Sequence, residues 1–377
     1  MMRQPEDELA ALHESSLLRQ LPVWDDSLQN FSSNDYLGLA THPRIKKSYQ
    51  DAIDRYGAGA TASRLVCGSM PPHRELEDLI ANAKGTEAAL TFATGYATSV
   101  GVITALMKKG DTIILDKLCH ASLIDGARMS GATLRVFPHN HLGKLDALLA
   151  SSVQKSTANA RILVITESIF SMDGDTAPLK EIATLTQQHG SLLMVDEAHA
   201  LGVIGPTGMG LAEQFGIQDQ IDFHMGTLGK AAGVAGGYIA ASQPWIDLMV
   251  NRARSLIYST APPPAQATAA AESIRLIRSD DGHALRKQLW KNINTFQNAA
   301  KLAHPSRSAI IPWMVGESHD ALALSSHLRE CGILVPAIRY PTVPPHTARL
   351  RITLSAAHDP ESVRQLGTTI LRTTEST

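Results

Sequence analysis

The sequence has few cysteines, no excess of one charge and no long apolar run. Its three cysteines, Cys67, Cys119 and Cys331, are scattered through 377 residues without a CxxC pair. This spacing does not support a disulfide framework or a structural zinc site, and it favours a reducing compartment such as the cytoplasm. The 34 basic and 36 acidic residues leave a formal charge of −2, which gives no electrostatic reason to expect nucleic acid or membrane binding.

We expect neither a membrane span nor an export signal. No stretch approaches the roughly 18 uninterrupted apolar residues that a spanning helix needs. The first residues, MMRQPEDELAALHESS, are polar and acidic, unlike the apolar core of a signal peptide. With 44% hydrophobic and 19% charged residues, the composition is typical of a globular protein. The length favours one large domain and one smaller domain.

The middle of the chain alternates short apolar runs with amphipathic stretches. The apolar runs, which predict buried strands, are 111–116, 133–137, 161–166, 191–196, 223–227 and 236–242. The stretches between them that predict helices include 95–108, 120–130 and 178–189. Strands that alternate with helices predict an α/β fold whose mostly parallel sheet is covered on both faces.

The pattern changes after about residue 260. A long helical stretch is expected over roughly 263–302. The later expected elements are a strand at 308–315, a helix at 319–331, strands near 333–337 and 349–354, and a helix at 359–372. We therefore predict an N-terminal arm over 1–40, which packs on the smaller domain, a large domain over 41–280 and a small α+β domain over 281–377.

Two segments near strand ends suit a flat, phosphorylated ligand, since ligands of such sheets bind beyond the carboxyl ends of the strands. Thr94, Gly95 and Tyr96 open a helix after the apolar LTFA, so their backbone N–H groups suit a phosphate. An ordinary turn capped by Thr94 is the alternative. His120 follows DTIILDKLC and could stack on an aromatic ring, although a helix start or a core position is the commoner role.

Two further segments carry ionisable groups. Asp196, in MVDEAHALG, ends an apolar strand and stays ionised only beside a cation, for which a protonated pyridine nitrogen would serve. The letters DEAH also match the magnesium box of helicase-type ATPases, but no GxxxxGK(S/T) loop precedes Asp196. Lys230, in GTLGKAAGVAGG, is flanked by small residues and could form a Schiff base in a buried pocket. A lysine in a flexible surface loop is the alternative.

Taken in order, these segments resemble the fold-type I pyridoxal 5′-phosphate enzymes of the α-oxoamine synthase family. The blocks that carry the resemblance are NFSSNDYLGLATHP (30–43), DKLCHASLIDGARMSGA (116–132), TESIFSMDGDTAPL (166–179), VDEAHALGVIGPTGMG (195–210), LIYSTAPPPAQA (256–267) and AIRYPTVPPHTARLRITLSAAH (337–358). Several such blocks in the right order are specific for the superfamily and less specific for one pair of substrates.

The resemblance implies a role for each matching residue. Lys230 would bind the cofactor covalently and later carry a substrate proton, Asp196 would pair with the pyridine nitrogen, and His120 would stack on the ring. His199, helped by Ser171, would bond the ring hydroxyl. The implied phosphate contacts are Gly95, Tyr96, Thr227 and, from the neighbouring subunit of a homodimer with shared active sites, Thr260. The implied substrate contacts are Asn34 and Arg351 for a carboxylate, Thr342, and Arg19 at the acyl-donor entrance. No metal is expected.

The resemblance also implies a reaction, the decarboxylative condensation of L-alanine with pimeloyl-CoA or pimeloyl-acyl carrier protein in biotin synthesis. The stretch AIRYPTVPPHTARLR (337–351) favours the alanine-using branch, although its YPTVP part also suits a 5-aminolevulinate synthase. Family alternatives are a 2-amino-3-oxobutyrate ligase, a 5-aminolevulinate synthase and a serine palmitoyltransferase. A DEAH-type ATPase and a non-catalytic scaffold are alternatives of other classes.

The chain departs from the family pattern at two places. GAGATASR (57–64) stands where relatives usually have a run rich in glycine and serine, and its extra methyl groups could narrow the route to the site. Leu228 stands where phenylalanine is common, and we expect it to be tolerated because it keeps apolar bulk. Neither change removes a candidate catalytic group.

Overall fold

A computed structural model of the protein describes residues 4–15, 17–19 and 21–375. The strands are β1 Gln29–Asn30, β2 Ala88–Phe92, β3 Thr112–Asp116, β4 Thr133–Phe137, β5 Ile162–Glu167, β6 Leu192–Asp196, β7 Phe223–Thr227, β8 Gly237–Ala241, β9 Ile310–Gly316, β10 Ile333–Leu334, β11 Ala337–Ile338 and β12 Ala348–Thr353. The α-helices are α1 Pro5–Glu14, α2 Pro43–Tyr56, α3 Pro71–Lys84, α4 Gly95–Leu106, α5 Ala121–Met129, α6 Leu142–Lys155, α7 Leu179–Gln188, α8 Leu211–Phe215, α9 Gln243–Arg252, α10 Arg254–Ile257, α11 Pro264–Arg278, α12 Asp280–Ala299, α13 Ser318–Glu330 and α14 Pro360–Glu375.

The central sheet has seven strands in the order β2-β8-β7-β6-β5-β3-β4. The strands from β7 to β4 run parallel, and β8 is antiparallel to both β7 and β2. Helices cover both faces, which is why the strands read as continuous apolar runs in the sequence. The predicted α/β fold with a mostly parallel sheet is confirmed.

Successive side chains of the central strands pack on opposite faces of the sheet. In β5, Leu163 and Ile165 belong to the apolar cluster that includes residues of α4, α5 and α9. Val164, between them, belongs to the cluster that includes residues of α6 and α7. This alternation follows from the two-residue period of a strand. It fixes the register of the sheet, and with it the positions of the residues at the strand ends.

The expected long helix over 263–302 is wrong in one respect, because the chain forms two helices there. Helix α11 ends at Arg278, and α12 begins at Asp280 after an extended Ser279. The Ser279 side chain accepts a hydrogen bond from the Gly282 N–H, and two aspartates occupy the first turn of α12. A serine cap followed by acidic residues is a helix start signal, which ends the preceding helix.

The C-terminal elements form a second, antiparallel sheet in the order β11-β12-β9. The N-terminal strand β1 pairs in parallel with β10, so residues 29 and 30 contact the C-terminal part of the chain. The boundaries proposed for the arm and the two domains stay predictions. Among the described residues, no helix combines the length and the apolarity needed to cross a bilayer.

Candidate active site

Polar side chains converge at the carboxyl ends of three neighbouring strands. Glu167 ends β5 and lies beside Asp196 at the end of β6, and Thr227 ends β7. All three line a cavity of about 190 Å³, together with His199 and Lys230. This is the edge of a parallel sheet at which ligands bind, because the loops that follow the strands diverge there.

Lys230 reaches this cavity from a loop that backbone contacts hold in place. The Leu228 N–H donates to the Gly236 carbonyl, and the Gly233 N–H donates to the Lys230 carbonyl. Gly233 has φ +68°, and a Cβ there would lie 2.3 Å from the Ala40 nitrogen, so only glycine fits. Lys230 Nζ lies 2.8 Å from His199 Nε2, which places this amine in the cavity rather than in a flexible surface loop.

The environment of Lys230 makes its amine easier to deprotonate than that of an ordinary lysine. Burial lowers the pKa of Lys230 to about 8, with Arg351 acting in the same direction and the carboxyl groups of Asp196 and Glu167 opposing it. An uncharged amine is the form that attacks an aldehyde. The side chain is therefore suited to a Schiff base near neutral pH, whereas an ordinary lysine would be almost entirely protonated.

Glu167 is a buried site residue that the sequence reasoning did not assign. Its carboxylate accepts a hydrogen bond from the backbone N–H of His120. Burial, and then the charge of Asp196, raise the pKa of Glu167 to about 8. The available signal was its position, since Glu167 ends an apolar strand just as Asp196 does. Asp196 itself accepts the N–H of Ala198 at 2.9 Å.

A buried chain of polar groups leads from Lys230 to Arg351. His199 Nδ1 lies 2.6 Å from the hydroxyl oxygen of Tyr36, which in turn lies 3.1 Å from Asn34 Oδ1. Arg351 donates from Nη1 to the same Asn34 oxygen at 3.1 Å. Burial, and then the positive charges of Lys230 and Arg351, hold the pKa of His199 well below its ordinary value. The imidazole is therefore neutral, and Tyr36 is a second residue that the sequence reasoning did not assign.

Ser171 meets this chain through its backbone. Its carbonyl oxygen accepts a hydrogen bond of 2.5 Å from Arg351 Nε. Arg351 is thus held by Asn34 and Ser171 while it is only 7% exposed. The proposed bond from the Ser171 side chain to the ring hydroxyl stays a prediction.

His120 both begins a helix and lines the cavity, the two positions that the sequence left open for it. It is the N-cap of α5, where its Nδ1 accepts the N–H of Ser122 at 3.2 Å, and it also lines the cavity. The Ser122 hydroxyl lies 2.8 Å from the same nitrogen. Burial lowers the pKa of His120, which favours a neutral ring that is suited to stacking on a flat ligand.

The first turn of α4 borders the other side of the cavity. Thr94 caps this helix by accepting the Ala97 N–H at 3.0 Å, and Gly95 and Tyr96 follow. A Cβ placed on Gly95 would lie 3.4 Å from Thr227 Oγ1, so the missing side chain keeps a cradle open between the helix start and Thr227. Backbone N–H groups at a helix start, beside a hydroxyl, suit a phosphate.

Six predicted site residues do not line this cavity, namely Asn34, Ser171 and Arg351, described above, and Thr260, Arg19 and Thr342. Thr260 is exposed and pairs with Ser63 of the GAGATASR segment, so in this chain it contacts that segment rather than the site. Arg19 donates from Nη2 to the Thr342 hydroxyl at 3.2 Å, which brings the two candidate acyl-side residues together. Leu228 is buried in the main apolar core, consistent with the apolar bulk expected at that position.

The cavity, with its buried lysine and strand-end carboxylates at the edge of a doubly covered sheet, defines a fold-type I pyridoxal-phosphate enzyme site. The model of the aminotransferase class I and II family matches residues 26–370, and the chain belongs to this family. Its relatives include the 8-amino-7-oxononanoate synthase of Geobacter sulfurreducens, 44% identical over 374 residues and 95% of both chains. The 8-amino-7-oxononanoate synthase of Geobacter metallireducens is 47% identical over 335 residues, which cover 88% of this chain and 85% of that one.

Solved structures show the same fold. The serine palmitoyltransferase of Sphingomonas wittichii superposes with a TM-score of 0.89 at 30% identity and covers 98% of this chain and 96% of its own. The 8-amino-7-oxononanoate synthase of Francisella tularensis gives a TM-score of 0.78 at 27% identity, over 93% of this chain and 99% of its own. The family predicted from the sequence is confirmed, and this membership removes the DEAH-type ATPase interpretation.

Proposed function

We propose that this protein is a pyridoxal-phosphate-dependent acyltransferase that condenses L-alanine with a pimeloyl thioester to give 8-amino-7-oxononanoate. A carbon–carbon bond forms between the alanine Cα and the acyl carbon, while the thiol carrier and carbon dioxide leave. The position of Lys230 Nζ in the cavity, 2.8 Å from His199 and near Asp196, is the observation that carries this proposal.

The groups around the cavity match pyridoxal phosphate in both position and chemistry. Lys230 offers an amine for the aldehyde, Asp196 a carboxylate for the pyridine nitrogen, and His199 a neutral ring nitrogen for the ring oxygen. The cradle between Gly95 and Thr227 is open, as a phosphate site requires. When bound, the cofactor supplies an electron sink for the negative charge that develops at the substrate Cα.

The remaining chemistry belongs to the side chains of this chain. Arg351, which Asn34 and Ser171 hold in place, binds the carboxylate of the amino acid through its planar guanidinium. Lys230 accepts the α-proton at Nζ, since its lowered pKa keeps part of the population neutral. His120 lines the cavity, where its ring would stack on the cofactor ring.

The two kinds of similarity point to different amino acids. The serine palmitoyltransferase superposes more closely, whereas the relatives with 44% and 47% identity are 8-amino-7-oxononanoate synthases. The fold is common to enzymes of different specificity, and substrate choice depends on individual side chains. Sequence identity is therefore the better guide here, and it favours alanine.

The partners follow from the same assignment. The acyl group would arrive on coenzyme A or on an acyl carrier protein, close to the Arg19–Thr342 pair. Thr260 would complete the phosphate site of a second copy, which makes the active enzyme a homodimer. A cytoplasmic location agrees with the three scattered cysteines.

The decisive experiment compares alanine, glycine and serine on the purified, cofactor-loaded protein. Each amino acid is offered with pimeloyl-, acetyl-, succinyl- and palmitoyl-CoA, and thiol release and product mass are measured. We expect release with alanine and pimeloyl-CoA, and its loss in Lys230→Ala but not in the exposed control Lys155→Ala. Release with glycine or serine alone would overturn the substrate assignment. Failure to take up the cofactor would overturn the enzyme class.

A further inference from the structure

Tyr36 is buried between His199 and the carboxylate-binding pair of Asn34 and Arg351. We propose that Tyr36 is a positioning residue that hydrogen-bonds His199 Nδ1 whether or not this nitrogen carries the ring proton. It thereby allows His199 Nε2 either to accept a hydrogen bond from Lys230 or to donate one to the cofactor. The part of this inference that concerns the cofactor rests on the proposed function.

The geometry gives each ring nitrogen of His199 its own partner. The Tyr36 hydroxyl oxygen lies 2.6 Å from Nδ1, and Lys230 Nζ lies 2.8 Å from Nε2. Tyr36 is completely buried and His199 is 4% exposed, so water does not compete for either nitrogen. The two rings are tilted by 53° with centroids 6.1 Å apart, so the contact is made by the hydroxyl and not by stacking.

Because the His199 ring is neutral, it has one proton to place. When Lys230 is an ammonium group, it donates to Nε2, and the proton must then lie on Nδ1. Nδ1–H donates to the Tyr36 oxygen, and the Tyr36 hydroxyl donates to Asn34 Oδ1, 3.1 Å away. Asn34 Oδ1 can accept this bond as well as the one from Arg351, since an amide oxygen has two lone pairs.

The opposite arrangement arises when the group that faces Nε2 is an acceptor, such as a neutral Lys230 amine or an oxygen of the cofactor. The Tyr36 hydroxyl then rotates and donates to Nδ1, and Nε2–H points into the cavity. The ring proton lies on Nδ1 in the first arrangement and on Nε2 in the second, and the net change between them is the one proton that Lys230 loses. A hydroxyl supports both arrangements because it can donate and accept.

The surrounding charges keep the hydroxyl and the ring in the states that this exchange needs. Burial raises the pKa of Tyr36 to about 12, with Arg351 opposing, so the hydroxyl keeps its proton throughout the working range. The titratable or charged groups that act on His199 are Lys230, Arg351 and His120, and all three disfavour an imidazolium. Lys230 and Glu167 both change charge near pH 8, and of these two it is Lys230 that bonds the ring.

The test uses cofactor-free protein labelled with ¹⁵N-histidine, so its readout is independent of catalysis. The His199 ring signals are identified by difference from His199→Asn, at pH 6.5 and at pH 9.5. In the wild type we expect an Nδ1-protonated ring at the lower pH and an Nε2-protonated ring at the higher pH. In Tyr36→Phe, which keeps the ring volume, the Nδ1-protonated form loses two hydrogen bonds and the Nε2-protonated form loses one. The ratio of Nε2- to Nδ1-protonated ring at pH 9.5 should therefore rise by about fivefold, the value of one hydrogen bond.

Two further variants make the result decisive. Asn34→Ala removes the acceptor that the Tyr36 hydroxyl uses only in the Nδ1-protonated form, so the ratio of Nε2- to Nδ1-protonated ring at pH 9.5 should rise by about fivefold. Tyr238→Phe is the matched control, because Tyr238 is also fully buried and its hydroxyl has no hydrogen-bond partner among the described residues. It should leave the His199 signals unchanged.

Unchanged His199 signals in both Tyr36→Phe and Asn34→Ala would overturn the inference, even if the protein condenses alanine with the thioester. Conversely, altered signals in these variants would support it even if the substrate proved to be another amino acid. In the loaded enzyme, the pH at which the cofactor absorption changes should also move in Tyr36→Phe and not in Tyr238→Phe. The two proposals therefore fail separately.

Discussion

The amine of Lys230 is expected to titrate near pH 8 in the cofactor-free protein, instead of near its ordinary 10.5. At pH 7, a pKa of 8 leaves about 9% of the amine neutral, whereas a pKa of 10.5 leaves about 0.03%. Only the neutral amine attacks an aldehyde, so Lys230 should capture pyridoxal phosphate at pH 7 roughly 300-fold faster than an ordinary lysine of equal access.

The neighbours of Lys230 allow this pKa to be moved in both directions. Glu167 raises it, so Glu167→Gln should shift the midpoint below 8 and speed capture at pH 7. Arg351 lowers it, so Arg351→Gln should shift the midpoint above 8 and slow capture. Each variant serves as the control for the other, because a general loosening of the cavity would move both midpoints toward the solution value.

The assay follows the rise of cofactor absorbance after mixing, from pH 6 to pH 10. Reduction with borohydride and peptide mass spectrometry then assign the modified lysine. The rate should increase with pH and level off above about pH 8 in the wild type. A midpoint near 10.5 with the label on Lys230, or midpoints that move in the same direction in the two variants, would refute the reasoning.

Three further perturbations test other parts of the structure. Lys84→Met leaves the buried Glu197 carboxylate without its partner at 2.6 Å. The free energy of unfolding, measured in urea, should therefore fall by about 3–5 kcal/mol, and much of this loss should be recovered when Glu197→Gln is added. Two carboxylates, one of which is Asp175 at 2.7 Å, outweigh the effect of burial and raise the pKa of His139 to about 10. The contribution of His139 to the stability of the fold is therefore complete below about pH 6.5 and is lost as the pH rises through 10. The Tm difference between wild type and His139→Gln should accordingly shrink from pH 6 to pH 10, and a constant difference would contradict this. Arg351→Lys should raise KM for alanine by about tenfold or more with a smaller change in kcat, because an ammonium cannot form the planar two-point contact with a carboxylate; equal KM values would exclude that role.

The central sheet could be predicted from the sequence because its signal is local. Six of the seven strands overlap predicted apolar runs, and the runs at 133–137 and 223–227 match β4 and β7 to the residue. Strand β2 was not among the predicted runs, and β4 is an edge strand in which only Phe137 is buried. The division at Ser279 was missed, although its signal is also local. Apolar periodicity continues through α11 and α12, and only the Ser-Asp-Asp start signal separates them. The apolar periodicity predicts one helix, whereas the serine cap divides the segment into two helices.

From the order of apolar runs alone, only the site residues that end strands could be predicted. Asp196 and Thr227 end apolar runs, so the geometry of a parallel sheet brings them together without further information. Tyr36 carries no such signal, because its contact with His199 joins residues 163 positions apart and depends on how the N-terminal segment packs. Glu167 could have been found as Asp196 was, because it also ends an apolar strand. However, burying a second carboxylate beside Asp196 is energetically costly, so a site residue is not expected there. This pair of carboxyl groups has a consequence for Lys230. Burial lowers the pKa of Lys230, and the two carboxyl groups oppose this effect and leave the pKa near 8. The amine can therefore hold a proton and release it at the same pH, which a catalyst of proton transfer requires.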